Sequence, residues 1–190
     1  MSHQYETKID NIDRKEWYQI LHLFKDANIF QTWDYDAAIH GENHLSHLVM
    51  KKQGSIVAAC QVCIFNVKYL NIGIAYIRYG PLWELKGVER NTDIFRYVIH
   101  EIIEEYVHKR SLFLRIYPRL FEENDEVCKR IMLEEKLRPR KEQAHNKTII
   151  LNIDKNLEEM KKFLDPKWRN KLKKTERNNI IPMTISTMPK

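Results

Sequence analysis

Long apolar runs are absent from this sequence. None of its 190 residues lies in a stretch that approaches the roughly 18 consecutive apolar residues of a membrane-spanning helix. The opening residues, MSHQYETKID, lack the apolar segment of a secretory signal. Internal repeats and low-complexity segments are absent as well. These absences predict a cytoplasmic protein with no membrane span.

Cysteine is scarce, with three residues in the chain. Cys60 and Cys63 form a CQVC string, a spacing that zinc and redox sites use. The surrounding SIVAACQVCIF is typical of a buried strand, on which residues three apart point to opposite faces. Cys128 stands alone, and no second CxxC string exists. The sequence therefore favours ordinary buried thiols.

Histidine does not form a recognisable site either. His40, His44 and His47 cluster loosely in HGENHLSH, but their spacing gives no metal-ligand geometry, and we expect no metal. No Ser-His-Asp or Cys-His arrangement can be identified from spacing. The catalytic residues stay unassigned at this point.

Charge is unevenly distributed along a chain of globular composition. The chain is 43% hydrophobic and 31% charged, which fits one folded domain of this length. Its net charge is +6, and residues 155–177 hold nine Lys or Arg against four Asp or Glu. Such a segment attracts nucleic acid, nucleotide sugars or anionic lipid. A solvated helix face or a linker between two halves would have the same composition.

Hydrophobic periodicity and turn signals predict the order β-α-α-β-β-β-α-β-α-β-α-β. The first helix shows Trp17, Ile20, Leu21 and Phe24 at helical spacing, with a capping box at its start. The predicted strands are 5–12, 45–52, 55–68, 73–80, 111–118, 147–154 and 181–187, and the predicted helices are 13–27, 32–41, 91–110, 124–136 and 156–178. This order predicts an α/β (α+β) GNAT-like acyltransferase fold, a mixed central sheet flanked by helices.

Five local strings, in this order, carry a resemblance to a known family. They are NIFQTWDY, YIRYGPLW, FLRIYP, NKTIILNIDKNLEEM and KWRNKLKKTERNNI. Together they resemble the FemAB/FemX-like peptidoglycan-bridge aminoacyltransferases and their GNAT-like relatives. Three departures stand out: Tyr79 lies between the Arg and Gly of an Arg-Gly-Pro turn, Tyr117 replaces a strand Asp, and DYDAAIHG lacks a Lys.

The resemblance implies a chain with one of two family domains. Residues 1–190 would form a single GNAT-like domain, with a basic helix and strand at 165–190 where a second domain would join. Family members take an amino acid from aminoacyl-tRNA and add it to a cell-wall precursor peptide. The expected partners are therefore aminoacyl-tRNA, that precursor, and a second GNAT-like domain or chain.

Four residues near the fourth strand are candidate substrate contacts. Tyr76 and Arg78 share one strand face, and Arg78 could hold a phosphate or carboxylate, or pair with a nearby acid. Gln31 and Tyr35 could line the same cleft, whereas Trp33 is typical of core. These assignments follow from the cleft that a GNAT fold opens beside this strand.

The last helix has two stripes at spacing four. Trp168 and Leu172 form an apolar stripe that we expect to be buried against the domain or a partner. Arg169, Lys173 and Arg177 form a basic stripe beside it that we expect to be largely exposed, and the resemblance suggests tRNA phosphate as their partner. Base-reading motifs are absent, so backbone contacts should dominate.

Coenzyme A is the donor of ordinary GNAT enzymes. Their pyrophosphate loop, Arg/Gln-x-x-Gly-x-Gly/Ala, is absent here: GPLWELKGVERNTD has Gly80 and Gly87 too far apart. We therefore expect no cofactor. Three functions stay open: tRNA-dependent aminoacyl transfer, acyl-CoA-dependent N-acyl transfer to an amino-sugar or polysaccharide precursor, and a non-catalytic binding module or half of a split enzyme.

Overall fold

The structure is a computed structural model that describes residues 5–67, 72–119, 125–139, 154 and 156–178. The chain forms two compact units, residues 1–140 and 141–190. The first unit holds all the described strands: β1 Tyr5–Ile9, β2 Leu45–Lys52, β3 Ser55–Val67, β4 Ile72–Arg78 and β5 Phe113–Tyr117. Its helices are α1 Arg14–Leu21, α2 Trp33–His40, α3 Thr92–Ile102 and α4 Glu126–Glu134, and α3 continues as a π-helix over Ile103–Lys109.

One five-stranded sheet organises this unit, in the order β1-β2-β3-β4-β5. The first four strands pair antiparallel, and β5 pairs parallel with β4 after the α3 crossover. The sequence predicts three consecutive antiparallel strands followed by a long helix, and both features are confirmed. A parallel neighbour requires such a crossover, whereas a two-residue turn joins β2 to β3.

The sheet is covered on both faces. The larger core packs α3 and α4 on the face that carries Leu48, Met50 and Cys60, all fully buried. The smaller core packs α1 on the opposite face, where Val49 and Ala59 meet its apolar stripe. Adjacent strand residues point to opposite faces, so β2 and β3 are apolar at nearly every position.

The predicted helix signals are confirmed at atomic detail. The Asp13 side chain accepts from the Glu16 N–H, and the Glu16 side chain accepts from the Asp13 N–H, which completes the capping box. Trp17 is fully buried and donates its ring N–H to the Gln31 carbonyl at 2.9 Å. That bond ties α1 to the segment before α2.

The second unit, residues 141–190, contains two described helices, α5 Leu157–Phe163 and α6 Pro166–Arg177. Pro166 is the first residue of α6, a position that needs no N–H donor. Apart from Asp154, the strands predicted at 147–154 and 181–187 lie outside the described residues. Within the described part of the chain, the helices lack the length and apolar character that a bilayer crossing requires.

Candidate functional site

The parallel pair β4–β5 positions the candidate site. Beyond the last ladder pair, Arg78 with Tyr117, the Tyr79 N–H still donates to the Tyr117 carbonyl at 2.7 Å. The chain then turns away from the sheet at Gly80 and Pro81. A cavity of about 320 Å³ opens beside this turn. Its lining is polar and charged for the most part and comprises Lys25, Asp26, Gly80, Pro81, Trp83, Glu84, Arg90, Phe95, Pro118, Arg119 and Asp125.

The four predicted substrate-binding residues are absent from the lining of this cavity. Gln31 is fully buried, and its amide lies between two strands. It donates to the Arg78 carbonyl at 2.8 Å and accepts from the Gln61 N–H at 2.8 Å. The β3–β4 ladder ends at Cys63 with Tyr76, so the Gln31 amide replaces the next backbone pair. Gln31 therefore holds β3 and β4 together, and its role as a substrate contact stays a prediction.

Gly80 is required by this packing. A Cβ added at Gly80 would lie 2.8 Å from the Gln31 Nε2 and 2.9 Å from its Cδ. After Pro81 the chain pairs with the sheet again. The Leu82 N–H donates to the Ala59 carbonyl at 2.8 Å, and the Ala59 N–H donates to the Leu82 carbonyl at 2.9 Å. The Gly80-Pro81-Leu82 segment is thus held against the sheet, and it forms one wall of the cavity.

Arg78 pairs with an acid, one of the two alternatives predicted for it. Its guanidinium hydrogen-bonds the Asp36 carboxylate. Three aromatic rings surround the same guanidinium, with centroids at 5.0 Å for Tyr35, 5.5 Å for Phe30 and 5.9 Å for Tyr76. Tyr35 and Tyr76 therefore contact Arg78 itself, as cation–π partners.

Asp36 is the centre of a buried polar network. Its second oxygen accepts from the Gln61 side-chain amide at 2.9 Å, and the Cys63 thiol lies within 4.8 Å of this carboxylate. The Gln61 amide oxygen then faces His47 Nε2 at 3.1 Å, so His47 carries its proton on Nε2. Burial lowers the pKa of His47 to about 4, which keeps it neutral. Trp33, predicted as core, stacks on this ring at 4.3 Å.

The predicted histidine cluster separates in the fold. His47 belongs to the network just described, and His44 bonds the Ile64 carbonyl at 2.7 Å through Nδ1. His40 instead approaches Asp36 and Cys63, with their ligand atoms all within 4.8 Å of one another. We assign no ion to this trio because Arg78 and Gln61 already bind the Asp36 oxygens. Burial also raises the pKa of the Cys63 thiol, which disfavours the thiolate that a metal needs.

Cations and acids alternate around the cavity. Glu84 pairs with Lys25 at 3.4 Å and with Arg90 at 2.9 Å. Arg90 also pairs with Asp125, and its guanidinium lies 4.6 Å from the Trp83 ring centroid. These pairs join the segment after α1, the β4–α3 loop and the start of α4. The cavity wall is consequently cross-linked by its own charges.

Asp26 differs from the other cavity acids. Its side chain accepts from the Trp83 N–H at 3.0 Å and from the Glu84 N–H at 3.4 Å. Within the described part of the chain, no Lys or Arg side chain pairs with it. Burial raises the pKa of Asp26 to about 6, and its backbone hydrogen bonds oppose that rise. Sequence reasoning missed Asp26, because nothing in LFKDANIF indicates that a distant loop will bury its carboxylate.

The first turn of α3 already uses two of its backbone N–H groups. The Asn91 side chain already accepts from the Asp93 N–H, and the Asn91 carbonyl accepts from the Ile94 N–H. Asp93 adds a negative charge to the first turn. Arg90, the nearest cation in sequence, is paired with Glu84 and Asp125. A phosphate at this position would bind free N–H groups and the positive end of the helix dipole. Here the Asn91 oxygens compete for two N–H groups, and the Asp93 carboxylate competes for the dipole.

The basic helix α6 corrects one expectation, the exposure of Arg169. Trp168 is 64% exposed, and Lys171 lies 5.0 Å from its ring centroid, so burial of Trp168 against the domain or a partner stays a prediction. Arg169 is half-buried because its guanidinium donates to the Lys162 and Leu164 carbonyls at 2.7 and 2.9 Å. It caps the end of α5, whereas Lys173 and Arg177 are exposed as predicted.

Comparison with known proteins bears on the fold. No family model matches the chain. FemX superposes with a TM-score of 0.52 at 12% identity, over 67% of this chain and 31% of FemX. A possible acetyltransferase from Clostridium difficile 630 gives a TM-score of 0.48 at 13% identity, over 78% of this chain and 100% of that protein.

A curated sequence, UDP-glycosyltransferase 73C3 from Arabidopsis thaliana, is 27% identical over 84 residues. That match covers 42% of this chain, and the chain spans 17% of that relative's length. It is too short and too distant to show a family. The superposition on FemX and the strand order together establish the predicted fold class: a GNAT-like mixed sheet of five strands with helices on both faces.

Proposed function

We propose that this chain is the first GNAT-like part of an acyltransferase similar to FemX, one that transfers an aminoacyl group from aminoacyl-tRNA to the amine of a cell-wall precursor peptide. The observation that carries the proposal is the superposition on FemX over 31% of that protein's length. The occupied N–H groups at the start of α3 support a donor other than coenzyme A.

The reaction needs a deprotonated amine and a stabilised oxyanion rather than a side-chain nucleophile. The buried thiols agree with this requirement, because burial raises the pKa of Cys60, Cys63 and Cys128 above the usual range. Thiols in that state are poor nucleophiles. The cavity beside Gly80 and Pro81 instead offers carboxylates, which bind and deprotonate amines.

A donor comparison tests the proposed function. The chain is incubated with labelled aminoacyl-tRNA or labelled acetyl-CoA and a nucleotide-linked muropeptide. We expect label in the peptide from aminoacyl-tRNA only. Calorimetry with acetyl-CoA should show weak binding or none, because two N–H groups at the start of α3 already have acceptors. Transfer from acetyl-CoA, or its binding at a low micromolar dissociation constant, would overturn the donor assignment in favour of N-acyl transfer.

The exposed cations of α6 make a separate prediction about tRNA. Reversing Lys173 and Arg177 to glutamate should weaken tRNA binding and reduce the salt slope of log K by about one per lost phosphate contact. Stability should change little, because both side chains are exposed. The affinity for tRNA is measured at two salt concentrations for the wild type and for the double variant.

A charge-matched control separates this local effect from net charge. Lys15 and Lys86 are exposed residues of the first unit, and their double reversal changes the net charge by the same amount. We expect that control to bind tRNA with nearly the wild-type salt slope. Equal losses in the two double variants would show that α6 has no specific role.

A further inference from the structure

The ion pairs of the cavity leave one acid unneutralised. Lys25 and Arg90 both pair with Glu84, and Arg90 also pairs with Asp125. Arg119, the remaining cation of the lining, is likewise engaged in an interaction. Asp26 lies in the same wall, where its side chain accepts from backbone N–H groups of the β4–α3 loop and pairs with no Lys or Arg side chain among the described residues.

An unpaired buried carboxylate is costly, and a cation that enters the cavity would lower that cost. Asp26 is 6% exposed, so water solvates it poorly. Backbone N–H groups compensate part of its charge but supply no formal positive charge. An ammonium group is small enough for a cavity of about 320 Å³ and can donate three hydrogen bonds to its acids.

We propose that this cavity binds the primary ammonium group of the acceptor substrate and that Asp26 accepts a proton from it. The inference rests on the proposed function, in which the acceptor is an amine, and it assigns a binding site and a base to that amine. Trp83 and Phe95 supply apolar walls for the carbon chain that carries the amine, and Asp26 is the acid that the ion pairs of the lining leave without a cation. Asp26 would then be a catalytic residue.

The proton and bond balance is simple. The ammonium gives one proton to the Asp26 carboxylate and becomes a neutral amine. Its lone pair attacks the carbonyl carbon of the aminoacyl ester, so a C–N bond forms and the ester C–O bond breaks. The second amine proton ends on the departing ribose oxygen. Asp26 returns its proton to solvent, which leaves an amide, a free hydroxyl and one released proton.

The surroundings of Asp26 suit a base that works near neutral pH. The charged groups of the same cavity are Lys25 beside it, Glu84 and Arg90 on the β4–α3 loop, Arg119 after β5, and Asp125 before α4. A pKa of about 6 leaves Asp26 ionised at pH 7 and still basic enough to take a proton. Burial is the main cause of that raised pKa, and the Glu84 charge adds to it.

A matched pair of small ligands tests the proposal without a transfer assay. Nα-acetyl-lysine amide carries the amine, and Nα-acetyl-norleucine amide has nearly the same length without it. Ligand-observed NMR titration is performed on the wild-type chain and on Asp26→Asn. We expect the lysine ligand to bind the wild type and to lose about 10- to 100-fold in affinity with the variant, the cost of a charge-assisted hydrogen bond. The norleucine ligand should not bind either protein.

The pH dependence gives a second readout that a structural role of Asp26 would not produce. Wild-type affinity for the lysine ligand should rise about fivefold from pH 5 to pH 6 and level off above pH 7, since only the carboxylate binds the ammonium. The lysine amine stays charged throughout this range. For Asp26→Asn the residual affinity should not vary with pH.

The outcomes separate this inference from the proposed function. Aminoacyl transfer that proceeds equally well with Asp26→Asn would overturn the role of Asp26 and leave the function intact. Lysine-ligand binding that depends on Asp26, in a chain that transfers only from acetyl-CoA, would keep the amine site and overturn the donor. Equal binding of the lysine and norleucine ligands would overturn the amine site itself. Circular dichroism of the variant confirms that it is folded in each case.

Discussion

Replacing Asp36 with alanine is expected to lower the free energy of unfolding by about 3 kcal/mol, the lower end of the range for breaking a buried ion pair. The Asp36 and Arg78 side chains are 4% and 17% exposed, so the variant would leave a guanidinium poorly solvated among aromatic rings. It would also remove the acceptor for the Gln61 amide. Urea unfolding at pH 7 measures the change.

Asp34 provides a matched control on the same helix. Its side chain is 52% exposed and pairs with Arg14, so Asp34→Ala should cost less than about 1 kcal/mol. A second test is Asp36→Leu combined with Arg78→Met, which removes both charges and should recover much of the loss. If Asp36→Ala and Asp34→Ala cost the same, the Arg78 pair does not stabilise the fold.

Replacing Asp26 with asparagine is expected to have the opposite sign and to stabilise the chain at pH 7.5 by roughly 1–3 kcal/mol. The pKa of Asp26 is raised from 3.8 to about 6, so the folded state binds this proton more tightly than the unfolded state does. Protonated Asp26 stabilises the folded state fully at a pH below 3.8, its pKa in the unfolded chain. This stabilisation is lost as pH rises through about 6, its pKa in the folded chain. Asparagine has no such charge, and its amide oxygen can still accept from the Trp83 N–H.

The stability difference between Asp26→Asn and the wild type should therefore grow as pH rises from 4 to 6 and stay constant above pH 7. Urea unfolding of both proteins across this range provides the comparison, and effects of other titrating groups cancel in the difference. A difference that does not depend on pH would contradict the raised pKa. A stabilising substitution that abolishes amine binding would be a trade-off between stability and function.

Local sequence patterns predicted most elements of the first unit. Alternating and continuous apolar runs placed β2 at its observed bounds and the start of β3 at Ser55, and the Asp13-Glu16 capping box marked the start of α1. These signals are reliable because backbone hydrogen bonding and apolar periodicity act over a few residues. The CQVC thiols are buried, as that reasoning predicted.

Site residues depended on contacts between distant segments. Gln31 belongs to a recognisable Phe-Gln string, yet only the fold shows that its amide replaces a backbone pair between β3 and β4. The sequence left two partners open for Arg78, a substrate anion or a nearby acid. In the fold, α2 places the Asp36 carboxylate against its guanidinium. Arg169 was expected to face solvent and instead caps α5, because two residues at the α5–α6 junction bring its guanidinium to the free carbonyls.

The sequence by itself determined the order of elements, the faces that are apolar and hence the GNAT-like sheet, because periodicity and turn residues are local properties. Only the tertiary structure decided which polar groups are available for chemistry. Asp26 and Trp83 are far apart in the chain, and the carboxylate becomes a buried, unpaired group only when the β4–α3 loop closes over it. Burial and pairing of a charge depend on neighbours from other elements, and a single segment does not encode them.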